Sequence, residues 1–374
     1  MAVWFLRPGG MIFLIIYIDK TIADYYTKNE LTTEEKILFN QLAIAHKRGD
    51  CFLCGDLSSI EELIKCTDEL SSSIYKMIRN KHSEVGSLIT LVNRLVILSF
   101  SENSVTPDFI PTSCNTYYLI VNQIIKNHLN VYKPCTLIGE NLQDCKFYKM
   151  MANRYLAINN FHGVSVSCHL EHGGGNTTDS IYNKCVVEDK VPTICIVDSD
   201  IKSRETKMFP NHPAIGDTAK RIKKAHRRLM KQTNVIPFDC YCIPIHEIEN
   251  LIPIVIIERL PHDTKGLYLL KKLLENHLEE AILVYDFKNG INVDMSENSP
   301  CAIYWREICE QIEEQDFTKV GNNILDNALR LMEDSSNEEC YYKNIPLDDY
   351  LKKQWEEIEK IVFSWCCASL PFCS

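Results

Sequence analysis

Six acidic residues stand at the ends of apolar runs in the middle of the chain. Glu140 closes the run 135–139, and Asp144 lies four residues on, one turn into a helical pattern. Asp198 and Asp200 close the β-branched run 193–197, and Glu247 and Glu249 follow the run 240–245. Acids two apart share a face of extended chain, and acids four apart share a face of a helix. Like charges buried together are costly unless cations neutralise them. Carboxylate oxygens favour Mg2+ or Mn2+. Such ions activate water and clamp the oxygens of a phosphodiester. A lone Asp-x-Asp is also common in loops and caps. Three acidic strand ends in one α/β unit make a shared metal site the expectation.

The runs 135–139, 164–170, 193–197 and 240–245 read as buried strands, with helical spacing over 142–158, 176–186 and 218–232 between them. Strands alternating with helices imply a parallel sheet with right-handed crossovers. Open parallel sheets carry their sites at the carboxyl ends of the strands. All six acids would then meet on one edge.

These motifs resemble the Toprim fold of topoisomerases, primases and OLD-type nucleases. Leu137-Ile138-Gly139-Glu140, followed by Asp144, is similar to its first motif, and Ile196-Val197-Asp198-Ser199-Asp200 to its second. Glu247-Ile248-Glu249-Asn250 resembles the later acidic motif of Toprim nucleases in anti-phage defence. The resemblance covers residues 133–260. It implies a Rossmann-like catalytic domain with Glu140, Asp198 and Asp200 as core metal ligands. Asp144 and Glu249 would complete a second site, and Glu247 is a further catalytic candidate. One departure is Gly139-Glu140-Asn141 where the commoner form has Glu-Gly. No GxxxxGK[ST] loop occurs, so ATP hydrolysis would fall to a separate ATPase or sensor partner. Homo-oligomers are an expectation of the resemblance alone.

A basic stretch follows the second motif. Lys220, Arg221, Lys223, Lys224, Arg227, Arg228 and Lys231 lie within 219–232, a segment without an acid. Ile222, Ala225 and Leu229 recur at helical spacing and would pack on the sheet. A solvated helix usually mixes both signs, so this unmixed face fits phosphate-backbone contact. Lys202, Arg204 and Lys207 could reach a phosphate or simply solvate a loop. Gly173-Gly174-Gly175 reads equally as a phosphate cradle or as a flexible turn. His169 and His172 beside it read as structural or solvent histidines. Cys51-Phe52-Leu53-Cys54 has no second pair at zinc spacing, so buried thiols are the default. Asp19 reads as a strand-ending or capping residue.

The chain has 374 residues, a formal charge of −10, 45% hydrophobic and 24% charged residues, which excludes disorder. Its longest apolar run, 11–18, is too short to span a membrane. Seventeen cysteines without a convincing leader point to reduced thiols and a cytoplasmic protein. Residues 275–374 hold 21 acidic and 8 basic residues, a net of −13, which leaves +3 for the remainder. The expected organisation is a mixed α/β region (1–130), a Toprim-like domain (131–262) and an acidic, mainly helical region (263–374). In the first region, strands are expected at 12–18 and 51–55, and helices at 32–47, 58–66, 85–100 and 117–128, with a linker at 101–114. No internal repeat is visible. The expected activity is metal-dependent hydrolysis of DNA or RNA, tRNA included, in a defence or toxin-like system. The alternative is a non-catalytic subunit of the same fold that binds nucleic acid or a partner. A primase-type transferase is the third option.

Overall fold

A computed structural model describes residues 15–90, 92, 94–101, 110–111, 114–203, 215–232, 236–291 and 293–371. It is an α/β protein built on two parallel four-stranded sheets. The first sheet contains β1 (Ile15–Ile18), β2 (Phe52–Gly55), β3 (Arg94–Ser99) and β4 (Asn115–Ile120), in the order β2-β1-β3-β4. Five helices connect its first three strands: α1 (Thr21–Tyr26), α2 (Thr33–Arg48), α3 (Leu57–Cys66), α4 (Glu69–Asn80) and α5 (His82–Thr90). α2 starts where its sequence says it should. The Thr32 side chain accepts from the Glu35 N–H, and the Glu35 carboxylate accepts from the Thr32 N–H at 2.8 Å, which is a capping box. Gly49, at φ +77°, ends the helix in the left-handed region.

Two expectations in this half are corrected. The run 85–100 is not one buried helix. It divides into α5 and β3, and β3 is buried along its whole length between β1 and β4. An apolar run with no period reads the same for a buried helix and a central strand, and the β-branched Val96 and Ile97 favour the strand. The run 117–128 likewise divides into β4 and α6 (Val121–Asn127). Most of the expected linker at 101–114 lies outside the described residues.

The second sheet contains β5 (Cys135–Gly139), β7 (Cys168–His172), β8 (Thr193–Val197) and β9 (Phe238–Cys242), in the order β7-β5-β8-β9. Its helices are α7 (Leu142–Ile158), α8 (Thr178–Asn183) and α9 (Asp217–Leu229). The expected strand at 164–170 is two. Residues 164–166 form β6 (Val164–Val166), which leaves the sheet to pair antiparallel with β10 (Cys367–Ser369). The partner lies some two hundred residues away, so no local pattern announces the break.

In both sheets the first strand lies second from the edge, with its successor on one side and the third and fourth strands on the other. The chain thus carries one topology twice. The repeat is one of strand order and not of side chains, which is why the sequence does not display it.

After α10 (Ile254–Ile257), the acidic C-terminal region is largely helical, with α11 (Thr264–Glu275), α12 (Glu279–Ile282), α13 (Pro300–Ile312), α14 (Ile324–Glu333) and α15 (Asp349–Cys366). α15 lies along α7. Trp355 meets Phe147 edge to face, with ring centroids 5.7 Å apart. The Trp355 indole N–H donates to the Leu251 carbonyl at 2.8 Å, and Arg154 pairs with the buried Glu359 at 2.7 Å. The tail then reaches the first unit, where the Ser369 N–H donates to the Cys51 carbonyl at 3.2 Å. A second bridge joins the two sheets: Arg94 of β3 pairs with Asp239 of β9 at 3.0 Å, and Tyr117 donates to the Phe238 carbonyl at 3.3 Å. Among the described residues no helix is long and apolar enough to cross a membrane, and no disulfide forms among the sixteen described cysteines.

Candidate functional site

β5 and β8 are neighbours in the sheet, and the chain leaves them toward opposite edges. That divergence is the switch point at which an open parallel sheet forms a crevice. Glu140 leaves β5 there and Asp198 leaves β8. Asn141 caps α7 by accepting from the Gln143 and Asp144 N–H groups. Asp144 returns one oxygen, Oδ2, to the Asn141 N–H at 3.0 Å. The capping box therefore fixes Asp144 beside Glu140 and leaves its other oxygen pointing into the edge.

The loop after β8 is tied to the loop after β9. The Ser199 hydroxyl donates to the Ile245 carbonyl, and the Asp200 N–H donates to the His246 carbonyl at 2.9 Å. Asp200 itself adopts φ +54°, a left-handed conformation that costs a non-glycine residue energy and clusters at functional positions. Glu247 begins a 3-10 turn, Ile248–Leu251. Its N–H donates to the Asn250 side chain at 3.0 Å, and the Asn250 amide donates to the Ile282 and Tyr285 carbonyls at 2.7 and 2.8 Å.

Four buried oxygens at this edge have no hydrogen-bond partner: Glu140 Oε1, Asp144 Oδ1, Glu247 Oε1 and Glu249 Oε2. Native interiors rarely leave such groups unpaired. Burial, then repulsion from Asp200, raises the Glu140 carboxyl above its ordinary range. Asp144 is pushed up to about 7 by burial, with Glu249 and Glu140 adding to it. Glu247 is pushed up to about 7 by burial and by Glu249. Asp198 remains partly open to solvent, yet it is packed deeply enough and faces enough acids (Asp144, Glu140, Glu249 and Glu247) to be held well above the carboxylate range. All six predicted acids thus come to one edge. Among the described residues two trios place metal-ligating atoms within 4.8 Å of one another: His246, Glu247 and Asp286, and His226, Asp239 and Cys240. Glu140, Asp144 and Asp198 do not form such a trio. The donor set is all carboxylate oxygen and fits a hard divalent cation.

One residue of this edge escapes sequence reading. Lys288, from the acidic C-terminal region, places its ammonium 2.8 Å from Glu247 Oε2 and 3.0 Å from Glu249 Oε1. Burial opposes its charge, but the attraction of Glu249 and Glu247 prevails and holds its pKa above the ordinary lysine value. The turn signature Asn289-Gly290 beside it is visible in the sequence. Nothing there links it to acids some forty residues earlier.

The basic stretch forms α9, followed by a turn that carries Lys231. Ala219, Ile222, Ala225 and Leu229 are buried against the sheet. Lys220, Lys224, Arg227, Arg228 and Lys231 are exposed, while Arg221 and Lys223 are half-buried. Arg221 donates to the Asn176 side chain at 2.9 Å, and its charge is also felt at Glu140. Arg228 donates to Asn183 at 2.8 Å. α9 thus flanks the acidic edge.

The remaining readings resolve one by one. The Gly173 and Gly174 amides donate inward, to the Gly139 and Glu140 carbonyls at 2.8 and 3.0 Å, so they do not form an outward phosphate cradle. His169 pairs with Glu171 at 3.2 Å on the surface, and His172 is exposed. Cys51 and Cys54 are buried thiols raised by desolvation. The Asp19 carboxylate accepts from the Thr21 hydroxyl at 2.9 Å. The Lys202 side chain is exposed, and Arg204 and Lys207 lie outside the described residues.

Comparison with family models, with curated proteins and with solved structures found no match to the chain.

Proposed function

We propose that the chain is a metal-dependent nuclease that hydrolyses phosphodiester bonds of DNA or RNA, tRNA included, at the carboxyl edge of the second sheet. The observation that carries this reading is the convergence of six acids, four with orphaned buried oxygens, beside a helix whose charged side chains beyond Asp217 are all basic. Orphaned carboxylates under mutual repulsion are a poor arrangement for a purely structural edge and a good one for Mg2+ or Mn2+. Glu140, Asp144, Asp198, Asp200 and Glu249 are the residues that would hold the cation. When bound, it would polarise the phosphodiester and lower the pKa of an attacking water.

The remaining work falls to the chain itself. Glu247, near neutral in its titration, is placed to accept a proton. Lys288 limits the negative charge against which an anionic substrate must approach. The exposed bases of α9 would hold the phosphate backbone, an attraction that weakens with salt. The acidic edge alone would repel nucleic acid, so the neighbouring basic face is what makes this substrate class reasonable.

The test is incubation of the purified chain with Mg2+ or Mn2+ and a panel of plasmid DNA, single-stranded DNA, total RNA and tRNA, with Asp198→Ala as control. Metal-dependent cleavage that the control loses supports the proposal. Binding of nucleic acid without cleavage at any metal concentration would favour the non-catalytic, partner-regulated reading.

A further inference from the structure

Lys288 reaches the acidic edge on a turn built to present it. The Asp286 carboxylate accepts from the Lys288 and Asn289 N–H groups at 3.0 and 2.8 Å, and the Gly290 N–H donates to the Asp286 carbonyl at 2.8 Å. Gly290 sits at φ +77°, and a Cβ there would meet the Phe317 carbonyl at 2.3 Å, so only glycine closes this turn. Asp286 lies 3.7 Å from His246 Nε2, while His246 Nδ1 bonds the Ile201 carbonyl at 2.9 Å. The His246 carbonyl takes the Asp200 N–H. Lys288 therefore shares its anchors with the acids it faces. Its side chain keeps 49% of its exposure, while its ammonium is held between the two buried carboxylates.

Its two partners are almost wholly buried, Glu247 at 7% and Glu249 at 5% exposure, and each keeps a second oxygen without a partner. A divalent ion ligated by Glu249 would lie within a few Å of the ammonium, and two cations so close repel strongly in a partly desolvated pocket. A lysine held by two carboxylates in this way supplies one of the two charges a second ion would bring, at the place that ion would occupy.

We propose that Lys288 is the resident cation of the Glu247–Glu249 end, and that the site accordingly takes one divalent ion per chain, at the Glu140–Asp144–Asp198 end. This rests on the metal-site reading above: it keeps Glu140, Asp144, Asp198 and Asp200 as the ligands, replaces Glu249 as a ligand by its pairing with Lys288, and sets the stoichiometry at one.

The test counts Mn2+ bound to the full chain by equilibrium dialysis, with free ion followed by electron paramagnetic resonance. One ion is expected for the wild type, one for Lys288→Arg, two for Lys288→Met and none for Asp198→Asn. Two ions in the wild type, or one in a folded Lys288→Met, would overturn the proposal. No ion in the wild type would remove the metal-site reading itself, and this proposal with it. The double variant Glu247→Gln/Glu249→Gln gives a check that does not depend on the folding of Lys288→Met. It should still bind one ion, and a count of zero would place the ion at the wrong end.

Discussion

Gly216 stands so close to Asp200 that a Cβ built on it would lie 1.7 Å from the Asp200 carboxylate oxygen. The Gly216 N–H also donates to the Ser199 carbonyl at 2.9 Å, which holds the loop after β8 against the start of α9. The glycine is required by its neighbour and not by its own backbone angles. Gly216→Ala should move Asp200 out of place while the fold survives. A displacement of about 1 Å near the chemistry can lower a rate by ~100-fold, so cleavage should fall by about that factor with little change in far-UV circular dichroism. Undiminished cleavage would show that Asp200 is not needed where it stands.

The acids titrate in a direction that metal should reverse. Asp144 and Glu247 rise from ordinary values of 3.8 and 4.5 to about 7 in the fold. Between about pH 4 and 7 the folded chain thus holds more protons than the unfolded one. Stability without metal should therefore fall as pH rises through that window. A divalent ion competes with those protons, so its affinity should rise over the same window and its binding should release protons. Calorimetry in buffers of different ionisation enthalpy measures the release. Binding with no proton released at pH 6 would contradict the assignment of Asp144.

The exposed bases of α9 and of the turn after it can be tested without touching those that bond neighbours. Lys224→Glu, Arg227→Glu and Lys231→Glu together should weaken duplex binding and lower the slope of log K against log salt by ~0.9 for each phosphate no longer neutralised. Melting temperature should hardly move, because these side chains are exposed. An unchanged slope would reduce the helix to a solvated surface.

Arg154 and Glu359 tie α7 to the C-terminal helix in a setting where the glutamate is almost fully buried, and burial pushes that carboxyl up to about 7 despite its partner. Removing one member of a buried pair costs about 3–5 kcal/mol, because the other is left charged and alone. Arg154→Met should show a loss of that size in urea unfolding, and Arg154→Met/Glu359→Gln should recover much of it. Equal losses in both variants would mean that the packing of α15 depends on something else.

The contrast between what could and could not be read from the sequence has physical causes. β5 and β8 are short apolar runs ended by acids, and the acids mark both the end of burial and the site. α2 carries its capping box in four residues. The run 85–100 misleads because an apolar stretch without a period reads alike for a helix and for the fully buried β3, and the run 117–128 because the edge strand β4 passes directly into α6. The β6–β7 break is set by β10, and the presence of Lys288 at the acidic edge is set by the packing of the acidic region. Both depend on residues far apart in the chain, for which local spacing holds no signal. The left-handed turn at Asp200 is equally silent, since the partner of its N–H, the His246 carbonyl, lies far along the chain.

The most direct test is metal-dependent cleavage by the wild-type chain compared with Asp198→Ala and Glu140→Ala. The expected result is cleavage of at least one nucleic acid with Mg2+ or Mn2+, lost by at least about 1,000-fold in each variant, ~4 kcal/mol of barrier. Both variants should remain folded and at least as stable without metal, because each removes a repelling buried carboxylate. Cleavage retained in both variants, or no metal-dependent cleavage of any substrate in the panel, would contradict the nuclease reading.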